Sequence, residues 1–173
     1  HDPRRLIVAG AHRFSEHFKT SRNTRGPIFL ALPFKHGLAQ EMIEAARGLA
    51  NKGFQFLVKD HPMNPLTFKE QPGLCRTFQG LSAQTGLGAV IYAASTVGLE
   101  ALMAGIPVVR FLARSEPSVD VIPDYIPVHF STAEGLRDAL DTAVLSEPPT
   151  LERDDVFASP DMTIWREALG FSR

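Results

Sequence analysis

The run Tyr92-Ala-Ala-Ser95-Thr96-Val-Gly98-Leu-Glu100-Ala-Leu-Met-Ala-Gly105-Ile-Pro107-Val-Val constrains the fold more than any other part of the chain. It reads as the end of a strand, a Ser-Thr turn, an apolar helix, a glycine stop and a second strand. Glu100 is the only charge in that helix. A helix apolar on every side is buried, and a lone carboxylate within it is costly unless something pairs with it. The Ser-Thr pair predicts an N-cap and offers an anion a place against the positive helix end. An acid one turn from such a start points to a ligand with phosphates and hydroxyls, such as a nucleotide.

The rest of the chain repeats the strand-then-helix alternation. Ile28 to Leu32 is a continuous apolar run, suited to a strand buried on both faces. Leu38, Met42, Ala45, Ala46 and Leu49 then form a helical face that ends at Gly53. Phe54 to Val58 predicts a second buried strand, broken by Lys59-Asp60-His61-Pro62-Met63-Asn64-Pro65. Leu74 to Phe78 predicts a short third strand, and the polar stretch to Gly86 a short helix. Ala89 to Tyr92, Thr96 to Ala104 and Val108 to Leu112 continue as strand, helix and strand, with a last strand within Tyr125 to Phe130. Ser131-Thr-Ala-Glu134 has the spacing of a capping box before a helix with Leu136, Ala139, Leu140 and Val144 on one face. Thr163 to Leu169 predicts a final short helix carrying Trp165. At the start, Leu6 to Ala9 suits a short strand, Phe14 to Lys19 a helical turn, and Lys19 to Gly26 a linker.

Buried strands alternating with amphipathic helices predict α/β architecture, a doubly wound parallel sheet. The expected division is an N-terminal segment over 1–26, the α/β domain over 27–145, and an extension with a short helix over 146–173. Ligands of such sheets sit beyond the carboxyl ends of the strands. Lys35-His36-Gly37, Lys59 to Asn64, Ser95-Thr96 and Arg114-Ser115-Glu116 all fall at those ends, making one rim of basic, hydroxyl and imidazole groups.

Bulk properties narrow the classes. A net charge of −1 gives no global argument for nucleic acid or an anionic membrane. A single cysteine, Cys75, excludes an internal disulfide and suits a reducing compartment. No run reaches the roughly 18 apolar residues of a membrane span. The chain opens on His1 rather than Met, and is read as a piece of a longer protein. There is no D-x-D motif in a suitable loop and no Cys/His cluster with ligand spacing, so no metal is expected. The G-x-G-x-x-G fingerprint of nicotinamide binding is missing.

Val58-Lys59-Asp60-His61-Pro62, followed by Ser95-Thr96-Val-Gly98-Leu-Glu100-Ala-Leu-Met-Ala-Gly105-Ile-Pro107, resembles the C-terminal, donor-binding half of GT-B glycosyltransferases. The likeness spans about residues 28–142 and is nearest to bacterial enzymes of capsule and surface polysaccharide synthesis, among them Kdo, sialyl- and polysialyl-, and CDP-polyol transferases. It implies a nucleotide-sugar substrate linked to CMP, CDP or UDP, with CMP favoured by the His-Pro segment, and no separate cofactor. His61, with Pro62 and Asn64 beside it, would approach the phosphate nearest the leaving bond, offsetting its charge or protonating it. Ser95 and Thr96 would hold phosphate, Glu100 would accept hydrogen bonds from ribose hydroxyls, and Lys35 and Lys59 would be further phosphate partners. The family places its base on an N-terminal acceptor domain across the cleft, so this half would bind donor and transfer nothing by itself. A cytoplasmic setting follows from the resemblance, peripheral contact with the inner membrane face being left open.

Other readings of the same residues stay open. His61 also suits a loop histidine ahead of a strand-ending proline, and Glu100 a partner for a structural Arg or Lys. At the level of function, a GT-B epimerase acting on a UDP-sugar and a non-catalytic doubly wound module are the rivals.

Overall fold

A computed structural model, describing residues 9–10 and 20–171, turns the apolar runs into the interior of one sheet. The chain divides into two compact units, Phe18–Thr150 and His1–His17 with Leu151–Arg173. In the larger unit the order is β1 (Ile28–Ala31), α1 (His36–Ala50), β2 (Phe56–Lys59), β3 (Leu74–Arg76), β4 (Ala89–Tyr92), α2 (Val97–Met103), β5 (Val108–Phe111), β6 (His129–Ser131) and α3 (Leu136–Leu145). All pairings are parallel and the sheet order is β3-β2-β1-β4-β5-β6. The chain is therefore an α/β protein with a six-stranded parallel sheet in a Rossmann-like arrangement.

Residue alternation explains how the sheet is covered. Successive strand residues point to opposite faces. Ile28, Leu30, Phe56, Val58, Ile91, Val109 and Phe111 share one core with Leu38, Met42, Ile43, Ala46 and Leu49 of α1 and Leu136, Leu140 and Ala143 of α3. Tyr92, next to Ile91, faces the other way and packs under α2 at Gly98. Helices thus cover both faces, and β1 and β4, at the centre, are buried at every position.

Gly105 stops α2 as expected. Its φ is +74°, its N–H donates to the Leu102 carbonyl at 2.9 Å, and the Ile106 N–H donates to Ala101 at 2.9 Å, a Schellman ending. The expected caps are corrected. Thr96, at the α2 N-cap, has helical backbone angles (φ −62°, ψ −8°) and no side-chain cap bond, because a capping side chain needs an extended backbone there. Ser131-Thr-Ala-Glu134 forms no capping box, since Ser131 ends β6, α3 starts at Leu136 after Gly135, and Thr132 Oγ1 donates to the Glu134 carboxylate instead at 2.8 Å. The helix expected before Gly86 is a single 3₁₀ turn, Leu81–Ala83. The α2 helix is also not buried all round, because Val97, Glu100 and Met103, three residues apart, form a half-buried line along it.

Residues 20–26, read as a linker, run beside 84–88. The Thr20 hydroxyl donates to Gln84 at 3.0 Å, Asn23 N–H to Leu87 at 3.1 Å, and Gly86 N–H to Ser21 at 2.9 Å. In the smaller unit, α4 (Met162–Ala168) is capped by the Asp161 carboxylate, which accepts from Thr163 and Ile164 N–H. Buried Arg153 there donates to Asp154 and to the Ala158 carbonyl. The strand expected at Leu6–Ala9, apart from Ala9 itself, and the turn expected at Phe14–Lys19 lie outside the described residues. No helix among the described residues is long and apolar enough to cross a membrane.

Gly98 is fixed by contact. A Cβ there would lie 2.9 Å from the Tyr92 ring, and that ring is held in turn by Asp120. Gly98→Ala gains about 1 kcal/mol of helix propensity, but overpacking a buried contact costs about 1–3 kcal/mol. The substitution is expected to lower the midpoint of urea unfolding, and an unchanged or raised midpoint would show that the ring yields freely.

Candidate functional site

The strand order reverses between β1 and β4, which opens a crevice at their carboxyl ends. The loops after β2 and β4 flank the loop after β1, so the sheet brings Lys35, His61 and Ser95-Thr96 to one edge. Neighbouring strands lie about 4.8 Å apart, which separates β2 from β4 by about 10 Å.

The histidine loop is strongly fixed. Asp60, directly before His61, pairs with the Arg76 guanidinium at the end of β3, and both side chains are largely buried. The other Asp60 oxygen accepts from Leu66 N–H at 3.1 Å. Arg76 also donates to the Leu66 carbonyl at 3.0 Å and lies over the Phe68 ring, 4.4 Å from its centroid. Breaking a buried ion pair by removing one partner leaves a stranded charge, so Asp60 and Arg76 act together to close the loop that carries His61. Within it, the Met63 N–H donates to His61 Nδ1 at 3.3 Å. With Nδ1 accepting, the neutral ring carries its proton on Nε2. The ring meets Phe34 edge-on, with centroids 5.4 Å apart and planes at 85°. Asn64 donates to the Phe34 carbonyl at 2.7 Å, tying the loops after β1 and β2 together. Pro62 is exposed beside them.

Both predicted lysines already have protein partners. Lys59 ends β2 and donates through Nζ to the Phe78 carbonyl at 2.7 Å. Lys35, at the N-cap of α1, pairs with Glu116 from the loop after β5 while its side chain stays mostly exposed. Across the crevice, Ser95 Oγ is buried and makes no hydrogen bond, an uncompensated polar atom of the kind that costs about 1–3 kcal/mol. Thr96 and Glu100 are half-buried, with Glu100 in the first turn of α2.

Two networks beside the crevice were not legible in the residue order. Arg110 of β5 pairs with Asp120 at 3.3 Å, and the Tyr92 hydroxyl donates to the same carboxylate at 3.1 Å. Burial first, and the Asp120 charge second, push the Tyr92 phenol up, so it stays protonated. A lone arginine in an otherwise apolar strand, Val108 to Leu112, was the available signal. The second network is Glu41 of α1, whose carboxylate accepts the Arg114 and Ser115 backbone N–H groups, both at 2.8 Å. Glu41 carried no signal, being one polar residue on the solvent side of an amphipathic helix. Among the described residues, no group of His, Cys, Asp or Glu is arranged to hold a metal ion. A cleft of about 440 Å³ lies at the other end of the sheet between Pro107, Pro127, His129 and Pro148. Its lining is mainly apolar, with His129, Ser146 and Glu147 as its polar members.

The Ser115 hydroxyl first, then the Arg114 amide, hold the Glu41 carboxyl below the usual carboxylate range. A depressed folded pKa contributes attachment that is complete above the unfolded value, about 4.3, and is lost as pH falls through the folded value. The protection of the Arg114 and Ser115 amides, measured against their intrinsic exchange at each pH, is therefore expected to fall as the pH drops below the ordinary carboxylate range, ahead of that of the β1 and β4 amides. Glu41→Gln is expected to show the faster exchange already at neutral pH. Equal protection in the variant would show that other contacts hold the loop.

Comparison with protein-family models, with curated proteins and with solved structures finds no match to this chain.

Proposed function

We propose that this chain is the donor-binding domain of a glycosyltransferase of the GT-B type, taking a pyrimidine nucleotide-sugar for cell-surface polysaccharide synthesis. The observation that carries the reading is the placement of the His61 loop and the Ser95-Thr96 turn on either side of the β1/β4 crevice. The strands that carry them, β2 and β4, are two strand spacings or about 10 Å apart, comparable with the length of a nucleotide. The buried, unbonded Ser95 Oγ supports it as a group suited to a phosphate oxygen.

In this reading the nucleotide lies across the crevice. His61 Nε2–H donates to the phosphate that leaves with the nucleotide, lowering the charge that builds as the glycosidic bond breaks. Ser95 and Thr96 hold phosphate oxygens, and Glu100 accepts from the ribose hydroxyls. Lys59 and Lys35 add positive potential, and Lys35 exchanges Glu116 for phosphate. The acceptor hydroxyl, deprotonated by a base on an acceptor-binding domain, attacks the anomeric carbon. This domain fixes the donor and stabilises the leaving group, which suits a cytoplasmic enzyme fed by soluble nucleotide-sugars.

Calorimetric titration with CMP, CDP, UDP and GDP tests the reading. One pyrimidine nucleotide is expected to bind selectively. His61→Ala and Glu100→Ala are each expected to weaken it about tenfold, as for loss of a charged hydrogen bond. A folded chain that binds none of the four at millimolar concentration favours a non-catalytic module instead.

A further inference from the structure

We propose that Phe34 is the platform on which the base of the nucleotide stacks, an assignment that rests on the reading above. Phe34 follows β1 and leaves 54% of its surface exposed at the carboxyl edge of the sheet. It is not alone, because Met63 on the next loop is 81% exposed and Phe78, after β3, is 86% exposed. Scattered exposed apolar residues need no explanation, but these three stand on neighbouring loops of the edge that carries the candidate site.

The platform is also preorganised. The Phe34 carbonyl is held by Asn64, and the ring is held edge-on by His61 at 5.4 Å. The polar groups that touch Phe34 are donors, namely His61, whose Nδ1 accepts from Met63 and leaves Nε2–H to donate, and the Asn64 amide on the Phe34 carbonyl. The nearby acids are engaged, Asp60 with Arg76 and Glu116 with Lys35. An exposed aromatic ring in contact with a donor imidazole suits a ligand joining a flat ring to an anion. Phosphate alone would leave the ring in water, and an apolar peptide would leave the donors unanswered. A nucleotide meets both, since every base has a π-face to stack on an aromatic side chain.

The test titrates the 173-residue chain with CMP and with ribose 5-phosphate, which keeps sugar and phosphate and lacks the base. The variants are Phe34→Leu, Phe34→Tyr and His61→Ala, and NMR follows contacts from the base H5 and H6 protons. Phe34→Leu is expected to weaken CMP about tenfold, as for loss of one base–aromatic stack, and to leave ribose 5-phosphate within about twofold. Phe34→Tyr is expected to keep CMP affinity, His61→Ala to weaken both ligands, and the base protons to show contacts to the Phe34 ring. If CMP binds but Phe34→Leu leaves it unchanged, or if the base protons contact other residues, the platform assignment is overturned while the nucleotide reading stands. If CMP does not bind the folded chain at millimolar concentration, both are overturned.

Discussion

The parallel pairing of β1 with β4 is the constraint on which the rest depends. Both strands are buried at every position and on both faces, so their backbone groups can be satisfied only by strands on either side. That requirement puts them at the centre of the sheet, with helices above and below. The chain winds outward from β1 through β2 to β3, and from β4 through β5 to β6. The two directions part at the carboxyl ends of β1 and β4, and the crevice is the geometric consequence. It lies in the packing, independent of any particular catalytic side chain.

Charge does at the edge what apolar packing does in the middle. The long loops after β2 and β5, at the carboxyl side, are each held by a carboxylate. Asp60 closes the loop after β2 with Arg76, Glu41 seats the start of the loop after β5, and Asp120 fastens its middle to Tyr92 and Arg110. Asp60, Arg76, Arg110 and Asp120 are at least four-fifths covered, where pairing with hydrogen bonds to each partner keeps their desolvation from being prohibitive. Loops fixed in this way can present His61, Phe34 and Ser95 at defined positions, which reduces the ordering cost of binding.

Much of the sheet was readable from residue order because the signal was local. Continuous apolar runs marked β1, between Pro27 and Pro33, and β4, after Gly88; a run broken only by Arg110 marked β5, after Pro107; and 3.6-residue periodicity marked α1 and α3. The Gly105 stop was legible for the same reason, since only its own φ and two backbone bonds are involved. The caps were misread because Ser-Thr and Ser-x-x-Glu patterns specify a side chain, whereas the cap depends on backbone angles set by the preceding strand. Thr96 enters α2 already helical, and Ser131 is still in β6. At the site, sequence spacing located His61 and Ser95-Thr96 at strand ends. It gave no hint that Lys59 and Lys35 have partners at Phe78 and Glu116, or that Arg76, in a three-residue strand, closes the histidine loop. Those are pairings between residues 16 to 81 positions apart, made by the topology.

The central claim is that the carboxyl edge at the β1/β4 crevice takes a nucleotide. Mapping backbone amide shifts of the chain during addition of CMP tests it most directly. The account predicts that the largest shifts fall together in 34–36, 60–64 and 95–97, from three loops that meet only in the fold. Shifts confined to the cleft at the opposite end, around Pro107, His129 and Pro148, would contradict it.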